Sequence, residues 1–258
     1  MGAFLFSAVS LLDLHIKLPD LPTSHEQIVL RWLHFVFGII WIGLLYFLNM
    51  VNIPLMKELD GGTRGKVFPP LMSRVMFWFR WSSVVTWLAG FRYFMILTKT
   101  DASAAGDPSL MWKWIGIWLA VWLVAFVILY GLLVATPLAF GDSGLVLGMC
   151  SLVVVSGTSW LVLHLLAQPG AGNRTLSIAV GGGLGTIMFL NVWGIVWRCQ
   201  KRLIEWTRAS AEKGTPLPDK AAQLQRLAFL TARLNFWLSF PMLFFMAASA
   251  HFEFLMGM

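Results

Sequence analysis

The chain has 258 residues, 58% of them hydrophobic and 12% charged, with a mean hydropathy of +0.75. A soluble globular domain carries about twice that share of charge, so the composition excludes one and reads as an integral membrane protein. The net charge of +7 resides on Lys and Arg that flank apolar segments, as membrane topology arranges them, so no nucleic-acid partner is expected.

The expected fold is all-α, a single membrane domain over residues 1–258 with six transmembrane helices. Residues 1–22 read as an interfacial segment, not a signal peptide. No Lys or Arg precedes the apolar Met1 to Leu12, and Pro19 and Pro22 end the segment. The first span covers about 27–50 and the second about 75–98, with Asp60-Gly61-Gly62 and Pro69-Pro70 as the break between them. The third, fourth and fifth cover about 112–137, 144–167 and 174–198. The fifth is expected to continue as helix past the bilayer to Lys213, where Gly214, Pro216 and Pro218 stop it. The sixth covers about 227–252. Cys150 and Cys199 match neither c-type haem attachment nor zinc spacing. They are expected to be reduced, small buried hydrophobes at inner helix ends.

Orientation follows from Lys and Arg. Thirteen of the nineteen lie in the stretch from the end of the first span into the second (Lys57, Arg64, Lys66, Arg74, Arg80) or from the end of the fifth into the sixth (Arg198, Lys201, Arg202, Arg208, Lys213, Lys220, Arg226, Arg233). Both termini therefore face outward, which in a bacterial inner membrane is the periplasm.

This orientation places His34, His164 and His251 near the outer face. Ionisable residues at membrane depth are costly, and so are candidates for function. Arg31, His34, Gly38, Trp41 and Leu45 form one stripe; Gly157, Trp160 and His164 share a face; Ala247 to Ala250 precede His251. Neutral imidazole binds haem iron, copper or zinc, so the three histidines are candidate ligands. Haem b is favoured over a bare metal because few carboxylates and no thiolate accompany them. Arg31 and Arg92 are candidate partners for its propionates. Wet interfacial histidines that bind nothing are the competing reading.

A second polar layer lies near the inner face. Asn49 and Asn52 end the first span, Arg80 is early in the second, Asn191 late in the fifth, and Arg233 and Asn235 early in the sixth. Arg80, Asn191, Arg233 and Asn235 are candidates for holding an anionic or amide-rich ligand. The alternative is snorkelling arginines with asparagines that tie helices together.

Several stretches resemble the membrane part of bacterial membrane-bound urate hydroxylases, the urate oxidase N-terminal domain family. They are Arg31-Trp32-Leu33-His34 with Gly38 and Trp41-Ile42-Gly43; Trp78-Phe79-Arg80-Trp81 with Thr86-Trp87-Leu88-Ala89-Gly90; Gly185-Thr186-Ile187-Met188, Asn191-Val192-Trp193 and Gln200-Lys201; and Arg233, Asn235, Leu238, Pro241 and His251. The resemblance implies a divergent member. Ala179 and Val180, and Leu234, stand where the family has histidines, and the cytochrome c domain typical of the family does not follow within these residues.

Three functions follow. The leading expectation is a haem-binding, electron-transferring relative of the urate hydroxylases, served by a separate cytochrome c or a neighbouring membrane subunit. The second is a urate or purine hydroxylase that uses an external electron acceptor. The third is a non-enzymatic subunit of a larger membrane complex. Lipid is the partner common to all three.

Overall fold

The computed structural model describes residues 22–139, 144–167 and 169–255, and every regular element among them is helical. The expected interfacial segment lies almost wholly outside these residues. Helix α1 (Pro22–Tyr46) continues through a π-helical stretch, Phe47–Asn52, into the short α2 (Ile53–Glu58). Pro54 gives a reason for the widened turn. Its ring nitrogen cannot donate to the carbonyl of Met50, and its ring crowds that carbonyl.

Asp60 then caps α3 (Gly61–Ala104), its Oδ1 accepting from the backbone N–H of Gly62 at 2.9 Å and of Thr63 at 3.0 Å. Hydrogen bonds from Thr63 and Gly62 hold the Asp60 carboxyl below its ordinary range. A depressed carboxyl stabilises the fold above its unfolded pKa, and that contribution fades as pH falls through the folded value. Asp60→Ala is therefore expected to lower the thermal midpoint at neutral pH. The gap to wild type should narrow as pH falls below the ordinary carboxyl range, and melting curves taken from neutral to acid pH check it.

α3 differs from the expected second span. The break is only Leu59-Asp60; Gly61 and Gly62 already belong to the 44-residue helix, and Pro69 and Pro70 lie inside it. A proline costs a helix one backbone bond and a clash four residues back, here at Gly65 and Lys66. Lys66 is exposed and Gly65 half-buried, so the freed carbonyls are near solvent. Ser73 Oγ also donates to the Pro69 carbonyl at 2.7 Å, an added bond on the same turn.

Helix α4 is Leu110–Ala139, α5 Gly144–Leu166 and α6 Asn173–Asn191. A second π-helical stretch, Val192–Val196, leads from α6 into α7 (Trp197–Lys213) without a break. Gly214 closes α7 in the left-handed conformation that glycine adopts freely. The expected extension of the fifth helix to Lys213 is thus observed. Helix α8 (Lys220–Ala248) begins earlier than expected and stops short of His251.

Five helical segments are long and apolar enough to cross a membrane: Thr23–Glu58, Leu110–Val134, Gly144–Leu166, Asn173–Lys213 and Lys220–Ala248. The expected second span, 75–98, lies in α3, which is not among them. α3 runs antiparallel along α1 all the same. Glu26 pairs with Arg92, His34 with Thr86, and Asn52 with Met72.

α6 is the central element, with nearly every side chain from Thr175 to Met188 buried. Its small residues accept the tryptophan stripe of α4. Trp114, Trp118 and Trp122 recur every four residues and are at most 2% exposed. Trp118 Nε1 donates to the Ala179 carbonyl at 2.7 Å, and the Trp122 ring lies on Gly183. On the other flank α6 meets α3, where Trp87 Nε1 donates to Thr186 Oγ1 at 2.9 Å. It also meets α8, where Asn191 meets Asn235. Close helix approach through small residues is the usual packing device in membranes.

Candidate functional site

The three histidines occupy three different surroundings. His34 lies between α1 and α3; its Nδ1 is 2.8 Å from the Thr86 carbonyl and its ring lies against Gly90. A Cβ on Gly90 would come within 2.7 Å of His34 Cε1, so that glycine makes room for the ring. His164 is on the outward face of α5, exposed and stacked on Trp160 at 5.3 Å, and Trp160 is itself 65% exposed. His251 is exposed in the turn after α8. Among the described residues no three His, Cys, Asp or Glu side chains gather to hold a metal ion.

Arg31 is exposed. Arg92 makes a two-pronged ion pair with Glu26, at 2.6 and 3.1 Å. The three imidazoles thus lie at a helix interface, on an exposed helix face and in an exposed turn.

The inner layer is more closely assembled. The buried amides of Asn191 and Asn235 meet directly, Asn191 Nδ2 donating to Asn235 Oδ1 at 2.8 Å. Asn235 Nδ2 donates on to the Met188 carbonyl at 3.0 Å. Asn49, in the first π-helical stretch, donates to Leu45 O at 2.9 Å and reaches Ala232 O at 3.5 Å. Asn52 points its amide nitrogen at Met72 Sδ, 3.9 Å away, a weak contact.

Arg80 lies on the α3 face turned to α6 and α7. Its guanidinium carbon is 4.0 Å from the centre of the Trp197 ring and 5.7 Å from those of Trp81 and Trp193. Arg233 is not part of this group; it lies over Phe229 and Phe236, at 5.4 and 5.9 Å. The four expected ligand-binding residues thus form one bonded pair and two separate arginine sites.

Six side-chain atoms of this layer are buried without a hydrogen-bond partner. They are Asn49 Oδ1, Asn52 Oδ1, Asn191 Oδ1, Gln200 Oε1, Arg80 Nε and Trp193 Nε1. A buried polar group left without a partner costs about 1–3 kcal/mol, so these are the atoms that a bound ligand or water would satisfy. Both π-helical stretches lie in this layer, and such widened turns are frequent at functional sites. Sequence reading missed Trp193, Trp197 and Gln200 as site residues. The spacing of three from Trp197 to Gln200 along α7 was the available signal; Trp193 lies in the π-helical stretch, where that period does not hold.

These features define a helical membrane protein with an under-satisfied polar layer toward its basic face. The chain belongs to the urate oxidase N-terminal family, whose model matches residues 61–258. The match leaves out α1, so the Arg31–His34 stretch stands outside it. Neither a curated protein nor a solved structure matches the chain.

Proposed function

We propose that this protein is a urate-hydroxylase-type membrane oxidoreductase that binds its purine in the inner polar layer and passes electrons to an external acceptor. The observation that carries this reading is the set of six buried unpartnered atoms, taken with membership of the family. Four are acceptor oxygens, which call for N–H donors. Two are N–H donors, which call for a carbonyl or an anionic oxygen. Urate offers both along the edges of one flat ring system, and its negative charge suits an arginine without a carboxylate partner.

In this reading α3 is a sixth span, because it accompanies α1 from Asn52–Met72 to Glu26–Arg92 and so crosses whatever α1 crosses. Its lower hydropathy reflects Arg80 and Arg92. The excess of Lys and Arg places the polar layer toward the cytoplasm and both termini outside.

The test is turnover by the detergent-purified chain with urate and either ferricyanide or soluble cytochrome c as acceptor. Loss of urate absorbance with matching reduction of the acceptor is the expected result. The absence of both urate loss and urate binding would overturn the proposal and leave a non-enzymatic subunit as the better reading.

A further inference from the structure

We infer that Arg80, Trp193 and Gln200 form an anion-recognition subsite, which in the urate reading above holds the charged edge of the substrate and selects it over neutral purines. Arg80 carries a full charge with no carboxylate near it. The Glu26–Arg92 ion pair lies elsewhere, on α1 and the far part of α3. Three indole rings surround the guanidinium instead, Trp197 closest at 4.0 Å. Ring faces hold a cation in place without neutralising it, so its N–H groups stay available to an anion.

Those N–H groups are partly unmet. Arg80 Nε is buried and unpartnered, and so is the neighbouring Trp193 Nε1, whose ring packs edge-on against Trp81 at 5.6 Å. Two unpaired donors on neighbouring side chains, the guanidinium carbon 5.7 Å from the Trp193 ring centre, beside an unneutralised cation are the components of an anion site. Gln200 adds a buried, unpartnered acceptor, Oε1, three residues after Trp197 on α7. An anion that also carries an N–H, as the urate monoanion does, satisfies donor and acceptor together; a chloride or a phosphodiester would leave Gln200 Oε1 unmet.

An independent observation points the same way. Asn52 and Asn191 are 6% and 0% exposed, and each has an orphaned amide oxygen in the same layer. The Asn191–Asn235 pair makes its bond without Arg80, so the layer divides into a charge-reading part and an amide-reading part.

Calorimetric titration of the purified wild-type chain with urate and with the neutral purine hypoxanthine tests the inference. Wild type should bind urate about tenfold more tightly or better. Arg80→Gln should weaken urate by about ten- to hundredfold and leave hypoxanthine within about twofold. Trp193→Phe keeps the ring and removes one donor; it should cost urate about threefold to tenfold, and it serves if Arg80→Gln does not fold. Urate affinity unchanged in both variants, or equal losses for both purines, would overturn the subsite while leaving urate binding intact. Wild type that binds neither purine would overturn the functional proposal as well. A phospholipid headgroup is the other source of an anionic oxygen here, so the titration is repeated in nanodiscs of phosphatidylcholine with and without phosphatidylglycerol. Urate affinity insensitive to phosphatidylglycerol supports a substrate site; displacement of urate by it assigns the subsite to lipid and overturns the inference.

Discussion

Gly183→Ala is expected to be among the most damaging single-methyl additions in this chain, lowering stability by about 3 kcal/mol or more. A Cβ at Gly183 would fall 1.8 Å from Cε2 and 2.0 Å from Nε1 of Trp122. No rotamer adjustment absorbs that overlap, because the ring is fully buried and lies beside Trp118, whose indole is bonded to Ala179. Either the ring leaves its slot or α4 and α6 separate. Gly185, two residues on, has nothing within 4 Å of its Cβ position, so Gly185→Ala is the internal control. It should be neutral or slightly stabilising, since alanine favours helix by about 1 kcal/mol over glycine. Thermal unfolding in detergent should separate the two variants by many degrees. Trp122→Leu should itself cost about 2–4 kcal/mol through the cavity it leaves. Combined with Gly183→Ala it should cost less than the sum, because the added methyl occupies part of that cavity. Simple additivity would show that the two side chains do not meet.

Asn191→Leu is expected to separate stability from function. The substitution removes the 2.8 Å bond to Asn235 Oδ1 and leaves that oxygen without its donor. Against this, it removes an orphaned acceptor, Asn191 Oδ1, from a fully buried position. Interhelical hydrogen bonds in membranes average about 0.6 kcal/mol, so the net loss of stability should be about 1 kcal/mol or less. Urate turnover should fall more than about tenfold, because a ligand donor loses its acceptor and the Asn235 amide loses its fixed orientation. Melting curves and turnover measured on the same preparation read both quantities. A variant that keeps wild-type turnover would make the asparagine pair a helix tie and nothing more.

The sequence showed the all-helical membrane class well, because a bilayer imposes a length and an apolar composition that leave few alternatives; of the six spans read from it, five are long and apolar enough among the described residues. Helix ends were less legible. Pro69-Pro70 looked like a break, yet these residues sit inside α3 in its polar, partly solvated part, where freed carbonyls do not require a protein partner. The histidines were the strongest sequence signal and the weakest structural one. Depth along a helix axis follows from residue number, but rotation about that axis does not, and His164 points outward with Trp160. The inner layer was legible as a level, and its internal division was not. Arg80 and Arg233 share a depth but face different aromatic neighbours. The π-helical stretches were invisible to a period of 3.6, and they change which side chains share a face. Trp193 falls in the second of them.

Asn173, the first residue of α6, reaches across to the segment that follows α8. Its Nδ2 donates to the Phe252 carbonyl at 2.8 Å and its Oδ1 accepts from the Leu255 backbone N–H at 2.9 Å. This two-handed grip fixes the point and the heading at which the chain leaves the bundle. A reporter fused after Leu255 would therefore emerge from a stationary mount beside the central helix, so its distance to a label on α6 would follow the movement of the reporter alone.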